Sequence, residues 1–298
     1  MASVILHSDT IRLKELLSHV LGVHDYAKLV RMGGLTNRTY KVTLLDGRVF
    51  VVRLPGEGTE TLINRKNEKI STLLACKLGI DADLLFFNSK GEEISSYIPQ
   101  AVTLSPDTIK QEHNLVKAAH LFKKLHTCAE DTGVPFDVFD MAASYEEIIE
   151  QHHVPFYHDY ADVKSRVLSL KQSVDQHPVP LVPCHNDPLC ENWILDGNGR
   201  MYLIDWEYAG MNDGMWDLAD VSIEAALTPE QEDILLTAYF NRIPTPEDRV
   251  RFCANKIYLD YLWTLWGMAR VPFDGAAMET YAGLRYARLK ENLTQMDK

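Results

Sequence analysis

The sequence predicts an α+β protein with two lobes, a small first lobe built on an antiparallel sheet and a larger second lobe that is mainly helical. Short apolar runs separated by Gly-containing turns dominate residues 1–100, which is the pattern of β-hairpins. Longer segments with apolar residues three and four positions apart dominate residues 101–298, which is the pattern of amphipathic helices. Ile98-Pro99-Gln100 interrupts both patterns, so we place the lobe boundary within residues 97–103.

The first lobe is expected to combine two helices with paired strands. Helical spacing of apolar residues predicts helices over Asp9–Leu21 and Thr61–Leu78. Strands are predicted in a hairpin over Leu29–Leu45, at Arg48–Pro55, and in a hairpin of Leu84–Asn88 with Glu93–Tyr97. Gly33-Gly34-Leu35-Thr36-Asn37 interrupts the first hairpin. A Gly pair lets the backbone approach a ligand and turn its N–H groups outward, which suits phosphate oxygens; an ordinary turn is the alternative.

A cation lies inside an otherwise apolar strand of this lobe. Arg53 belongs to the run VFVVRLP, and a buried cation needs a partner. Glu68 on the following predicted helix is available. A strand cation held by a helix carboxylate is the arrangement that directs positive charge at nucleotide phosphates, although a purely structural ion pair is the alternative.

The second lobe is expected to be a series of helices around one catalytic segment. The helices are predicted at Asp107–His126, Ser144–Gln151, Asp159–Ser173, Trp216–Leu227, Pro229–Phe240, Glu247–Arg270 and Gly275–Leu293. No internal repeat and no low-complexity segment interrupts this order.

The catalytic segment contains His185-Asn186-Asp187, then Asn192, and then a predicted hairpin that ends at Asp205. Because a hairpin folds the chain back, we expect Asp205 to return close to Asp187 and Asn192. Two carboxylates and an amide oxygen suit a hard cation such as Mg²⁺, and one carboxylate could instead accept a proton from a hydroxyl. The order H-x-D-x4-N, hairpin, Asp is that of a kinase catalytic loop followed by its metal-binding Asp. A solvated polar loop is the alternative.

Two later helices carry further candidates. Asp217 and Glu224 are seven residues apart, hence on one helix face, and we expect Asp217 to accept hydrogen bonds from backbone N–H groups of the catalytic loop. Trp263 and Trp266 are neighbours on a helix surface. Two adjacent indoles form walls of a cage for a quaternary ammonium, although an aromatic helix in a protein core is the alternative.

Composition excludes several classes. The net charge of −12 argues against a nucleic-acid partner. Its distribution, +2 over residues 1–100 and −14 over the remainder, suits an anionic cofactor in the first lobe and a cationic substrate in the second; the ordinary acidity of soluble proteins is the alternative. No apolar run reaches membrane-spanning length, and no secretory signal is expected from MASVILHSDTIRLKELL. Five scattered cysteines without a C-x-x-C pair disfavour a zinc site and point to the cytoplasm.

Several motifs together resemble one family. They are GGLTNRTYKV (33–42), VVRLPG (51–56), INRKNE (63–68), CHNDPLCEN (184–192), LIDWEYAG (203–210), WDLAD (216–220), LWTLW (262–266) and YAGLRY (281–286). The chain resembles the choline/ethanolamine kinase group of the aminoglycoside-phosphotransferase-like kinases, most of all the bacterial choline kinases. The resemblance implies a protein-kinase-like fold that binds ATP and Mg²⁺ and transfers the γ-phosphate of ATP to the hydroxyl of choline, giving phosphocholine and ADP.

The resemblance also implies a role for each matching residue. The base is Asp187. The Mg²⁺ ligands are Asn192 and Asp205, with Glu207 near the metal. The loop over the phosphates includes Gly34, Thr36 and Asn37, and Arg53, paired with Glu68, takes the place of the usual strand Lys. The substrate cage comprises Tyr208, Glu224, Trp263, Trp266 and Tyr281.

The sequence leaves alternatives open. Leu189 replaces a polar residue of the eukaryotic enzymes, and Ala225-Ala226-Leu227 lacks an aromatic that those enzymes carry after the Glu224 position. Ethanolamine is therefore a second candidate substrate, and thiamine or aminoglycosides are others within the same fold. A non-catalytic choline-binding module is a further alternative. The sequence does not fix the oligomeric state.

Overall fold

The computed structural model describes residues 5–32, 37–56 and 63–296. By their internal contacts, the residues form two compact units. The first contains Met1–Leu104 and Glu191–Ala209, and the second contains Ser105–Cys190 and Gly210–Lys298. The sequence division placed residues 191–209 in the second lobe, whereas their strand pairing groups them with the first unit. The division into functional lobes at residue 100 stays a prediction.

The described ranges contain the following elements. The strands are β1 Tyr26–Arg31, β2 Asn37–Leu44, β3 Val49–Pro55, β4 Leu84–Phe87, β5 Glu93–Ser96, β6 Val102–Thr103, β7 Val182–Cys184, β8 Trp193–Leu195, β9 Met201–Leu203 and β10 Gly210–Asn212. The helices are α1 His7–Leu21, α2 Arg65–Lys77, α3 Pro106–Ile109, α4 Glu112–His126, α5 Val138–Gln151, α6 Tyr160–Val174, α7 Met215–Ala225, α8 Pro229–Phe240, α9 Pro246–Asp274 and α10 Ala276–Met296.

A five-stranded antiparallel sheet forms the centre of the first unit. Its strand order is β1-β2-β3-β5-β4, so both predicted hairpins are present. Alternate residues of β2, such as Tyr40 and Val42, point to one face and are fully buried. This face packs against the apolar stripe of α1, including Leu13 and Leu17, and the resulting core fixes the register of the sheet.

Helix α2 begins later than the predicted Thr61. The side chain of Asn64 accepts hydrogen bonds from the backbone N–H groups of Lys66 (3.1 Å) and Asn67 (3.2 Å), so it caps the helix at Arg65. The preceding residues 57–62 lie outside the described residues, as do residues 33–36 of the predicted Gly-rich turn.

A smaller three-stranded sheet completes the first unit. Its order is β6-β8-β9, with all pairs antiparallel, and the hairpin of β8 and β9 is the one predicted before Asp205. Because Ile204 N donates to Asn192 O at 3.0 Å, this hairpin brings Asn192 beside the residue that precedes Asp205.

Helices dominate the second unit, and the long helix α9 packs against α5, α6, α7 and α10. Gly267 of α9 lies where α10 crosses most closely. An added Cβ at this position would lie 2.8 Å from Tyr281 Cδ1 and 3.1 Å from Ala282 Cβ, so only glycine permits the present spacing. The two helices therefore hold Tyr281 of α10 directly against α9.

One predicted helix is divided. The sequence predicts a continuous helix over Asp107–His126, whereas α3 ends at Ile109 and α4 starts at Glu112. Ser105 and Thr108 form a capping box around the short α3, and the Asn114 side chain donates to Thr108 O at 2.9 Å. The Thr108 carbonyl, which would accept from the N–H of residue 112 in a continuous helix, accepts from the Asn114 side chain instead.

The predicted α+β class is confirmed, with a small antiparallel sheet in one unit and a larger helical unit. In the described ranges, no helix combines the length and the apolar character needed to cross a bilayer.

Candidate active site

Arg53 is the centre of a buried charge cluster in the first unit. Its guanidinium contacts Glu68, as predicted, and also lies 3.2 Å from Glu93 Oε2 and 3.5 Å from Asp205 Oδ1. Burial opposes ionisation of this side chain, but the charges of Glu93, Glu68 and Asp205 together raise the pKa of Arg53 above its ordinary value. Arg53 is therefore a permanent cation beside the carboxylate predicted to bind metal.

Two partners of this cluster were missed from the sequence. Arg65 Nη1 donates to Glu68 Oε2 at 2.7 Å, so Glu68 bridges two guanidinium groups. Glu93 lies directly opposite Arg53 in the pairing of β3 with β5. Arg65 could have been proposed from its place in the motif INRKNE. Glu93 could have been proposed from the strand pattern, since opposite charges on facing strand positions attract one another.

Asp205 lies close to two other carboxylates of the first unit. Oxygens of Glu68, Asp205 and Glu207 all lie within 4.8 Å of one another. Burial, together with the nearby charge of Asp205, raises the pKa of Glu207. Its Oε2 accepts a hydrogen bond from Asn37 Nδ2 at 3.1 Å and lies 3.7 Å from Arg65 Nη1. Asn37, predicted at the phosphate-covering loop, is thereby joined to the predicted metal site.

These residues fit a hard divalent cation. Asp205 and Glu207 offer neighbouring carboxylate oxygens of the kind that Mg²⁺ prefers, and Asn192 lies beside the same hairpin. Asp205 also adopts a left-handed backbone conformation (φ 70°) that is unusual for a residue other than glycine, and such conformations concentrate at functional sites. Asn192, Asp205 and Glu207 as metal ligands remain a prediction.

The loop that carries Asp187 is anchored in the second unit by Asp217. The fully buried carboxylate of Asp217 accepts from His185 N at 2.9 Å and from Asn186 N at 2.8 Å, so the predicted hydrogen bonds are present. Its Oδ2 also lies 3.0 Å from His126 Nε2, and the other ring nitrogen of His126 is 2.9 Å from Tyr239 Oη.

Asn186 fixes the backbone immediately before Asp187. It has a left-handed conformation (φ 67°), which asparagine tolerates better than most residues. Its carbonyl accepts from Trp216 Nε1 at 3.0 Å, and its side-chain oxygen accepts from Asn212 Nδ2 at 2.9 Å. Helix α7 and strand β10 thus determine the direction in which Asp187, a partly exposed residue, leaves the loop.

Replacing Asp217 with Ala is expected to lower the free energy of unfolding by about 3 kcal/mol, because two backbone donors and His126 lose a buried acceptor. Chemical denaturation measures this loss. The matched control is Asp233→Ala, which removes an exposed partner of Arg249 and should change stability by less than about 1 kcal/mol. Equal losses in both variants would contradict the anchoring role.

Three predicted cage residues form a connected aromatic group in the second unit. The rings of Trp263 and Trp266 have centroids 6.0 Å apart at 89°, and those of Trp266 and Tyr281 are 5.6 Å apart at 70°. Edge-to-face rings at these distances form perpendicular walls. Trp263 is buried, whereas Trp266 and Tyr281 are partly exposed.

Glu224, the predicted anionic cage residue, already has a cationic partner. Arg285 Nη2 donates to Glu224 Oε1 at 2.6 Å, and the Arg285 guanidinium carbon lies 4.5 Å from the centroid of Tyr281. One face of the Tyr281 ring therefore contacts the Arg285 cation. The motif YAGLRY contains Arg285 four residues after Tyr281, a spacing that puts both on one helix face.

The remaining predicted residues are placed as follows. Gly34 and Thr36 lie outside the described residues. Tyr208 belongs to the first unit and follows Glu207 by one position, whereas Asp187 belongs to the second unit and Asn192 to the first.

Comparison with known families decides the class of the protein. The family model for choline/ethanolamine kinase matches residues 30–271. The chain belongs to the choline/ethanolamine kinase family. The protein is therefore a phosphotransferase, and the predicted kinase class is confirmed.

Individual known proteins are similar over most of the chain. The protein LicA of Haemophilus influenzae is 29% identical over 245 residues, which covers 78% of this chain and 71% of that protein. Human ethanolamine kinase 2 is 28% identical over 268 residues, covering 81% of this chain and 68% of that protein.

Solved structures agree with this assignment. The choline kinase LicA from Streptococcus pneumoniae matches with a TM-score of 0.83 at 32% identity, covering 97% of this chain and 100% of that chain. A structure of LicA in complex with AMP matches with a TM-score of 0.81 at 31% identity, covering 98% and 100%. The predicted kinase-like fold is thereby confirmed.

Proposed function

We propose that this kinase transfers the γ-phosphate of ATP to the hydroxyl of choline, giving phosphocholine and ADP, with Mg²⁺ as the metal and the cytoplasm as the compartment. The observation that carries the choice of choline is the group of perpendicular rings formed by Trp263, Trp266 and Tyr281. Aromatic faces bind a quaternary ammonium, whose methyl groups cannot donate hydrogen bonds.

The chemistry follows from the charges of the described residues. The hydroxyl oxygen of the substrate attacks the γ-phosphorus, the bond to the β–γ bridging oxygen breaks, and ADP leaves. Asp187 orients the hydroxyl and accepts its proton. Arg53, a permanent cation held by Glu68 and Glu93, neutralises negative charge on the phosphates.

Two further groups complete the proposal. Mg²⁺, when bound by Asn192 and Asp205 with Glu207 nearby, would neutralise phosphate charge that the protein side chains leave uncompensated. The loop containing Gly34, Thr36 and Asn37 would cover the phosphates, and Asn37 would connect it to Glu207. The AMP complex of LicA supports a nucleotide site in this chain.

The experiment that tests the function is an ADP-release assay with ATP and Mg²⁺, run in parallel with choline, ethanolamine, thiamine and kanamycin. Choline is expected to give the highest kcat/KM. A higher kcat/KM for ethanolamine would leave the proposed fold and reaction unchanged. It would mean that hydrogen-bond acceptors, and not the aromatic rings, determine which substrate is preferred. Omitting the metal should abolish turnover.

Replacing Trp263 with Ala is expected to raise the KM for choline by about 2- to 30-fold, the effect of losing one cation–π contact, while the KM for ATP changes little. The matched control is Phe273→Ala on the same helix, where the ring is 60% exposed, and neither KM should change. Equal increases in both KM values for the Trp263 variant would show that the loss comes from packing and not from a contact with choline.

A further inference from the structure

Asp220 lies between two residues already connected to the site. It is three positions after Asp217 and four before Glu224, so all three carboxylates share one face of α7. Asp217 accepts hydrogen bonds from the loop that carries Asp187, and Glu224 accepts a hydrogen bond from Arg285 of α10. Asp220 therefore occupies the stretch of α7 between the predicted base and the predicted cage.

The carboxyl group of Asp220 has no hydrogen-bond partner among the described residues, although the residue is only 2% exposed. Two other buried carboxylates of this unit are fully engaged. Asp217 accepts from two backbone N–H groups, and Asp260 accepts from Arg288 at 2.8 and 2.6 Å. An unpartnered buried carboxylate is costly, and a cation held nearby would offset part of that cost.

The surrounding charge is negative. Burial raises the pKa of Asp220, and the nearby charges of Glu224 and Asp187 raise it further, whereas the charge of Arg285 lowers it. These effects favour the neutral acid, and a cationic substrate nearby would favour the ionised carboxylate. Arg285 is shared, because it bonds Glu224 at 2.6 Å and lies 3.8 Å from Asp260. Glu224, which the sequence suggested as the anion for the substrate, is thus largely compensated.

We infer that Asp220 is the residue that selects for positive charge in the acceptor substrate, while Glu224 stays paired with Arg285. This inference rests on the proposed function, since it requires an amino alcohol beside Asp187. Both carboxyl oxygens are covered by protein, so Asp220 acts through its field and not by contact. Charges in a poorly solvated interior interact more strongly than exposed ones, and salt screens them less.

The test compares choline with 3,3-dimethylbutan-1-ol, which has the same shape but carries a carbon in place of the charged nitrogen. Binding of each alcohol is measured calorimetrically, and turnover is measured separately with ATP and Mg²⁺. The variant is Asp220→Asn, which removes the charge at nearly constant volume. The matched control is Asp248→Asn, another buried carboxylate of this unit that pairs with Arg242 in the first turn of α9.

Asp220→Asn is expected to weaken choline binding about tenfold or more and to leave binding of the neutral alcohol unchanged. The control variant should leave the ratio of the two affinities as in the wild type. Because Asp220 makes no hydrogen bond that the substitution could break, the Tm of Asp220→Asn should stay near that of the wild type, which distinguishes this role from a structural one. Asp220→Glu, which keeps the charge, should retain most of the preference for choline.

An unchanged affinity ratio in Asp220→Asn would overturn the inference, as would equal weakening of both alcohols. If that variant does not fold, Asp220→Ser replaces it, and retention of the wild-type ratio there would also overturn the inference. A wild type that binds choline without phosphorylating it would refute the proposed function, but the affinity ratio would still test Asp220. A wild type that binds both alcohols equally, or neither, would overturn the role of Asp220.

Discussion

Replacing Asp187 with Asn is expected to lower kcat for choline by about 10²- to 10⁴-fold, because the amide cannot accept the proton of the hydroxyl. The KM for ATP and the Tm should stay near the wild-type values, since the amide has the same shape and the loop is held by Asp217 and Asn186. Steady-state kinetics and a thermal melt measure both quantities.

The control for this variant is Asp162→Asn on the exposed face of α6, which should leave kcat unchanged. An Asp187→Asn enzyme that retained most of its activity would remove Asp187 from the role of base. Loss of activity together with a large fall in Tm would instead indicate that the loop depends on this carboxylate for its structure.

Replacing Arg53 with Met is expected to lower the free energy of unfolding by about 3–5 kcal/mol, because the buried carboxylates of Glu68 and Glu93 lose their shared cation. Activity at a permissive temperature should also fall, since the same guanidinium lies 3.5 Å from Asp205 and is proposed to neutralise phosphate charge. Denaturant titration and kcat/KM for ATP measure the two effects.

Arg48→Met provides the matched control. Arg48 pairs with Asp46, and both side chains are more than half exposed, so this substitution should cost less than about 1 kcal/mol. If Arg53→Met were as stable as Arg48→Met, the cluster around Arg53 would contribute little to folding.

Some contacts of the site could be predicted from the sequence because a single residue in its local setting requires a partner. Arg53 inside an apolar strand required a carboxylate, and Glu68 on the next helix supplied it. Asp217, on the helix that follows the catalytic segment, was expected to accept hydrogen bonds from backbone N–H groups of the catalytic loop, and it accepts them from His185 and Asn186.

Other contacts depend on register and on distant pairing, which local patterns do not encode. Glu93 meets Arg53 only because β5 pairs with β3 in one register. Arg285 reaches Glu224 from 61 positions away, and the sequence did not indicate this pair. The division of the predicted helix at Lys110-Gln111 likewise depends on side chains that bond the backbone in place of a helical turn.

The discontinuous first unit has a consequence for dissecting or recombining this gene. A product that stops after Leu104 would include β6 but lack β8 and β9, and the carboxylates of Asp205 and Glu207 would be missing beside Arg53. The two stretches of the unit are separated by 86 residues of the other unit. A fragment that contains the complete first unit would therefore have to be rebuilt by joining Leu104 to Glu191 through a designed linker, and simple truncation cannot yield it.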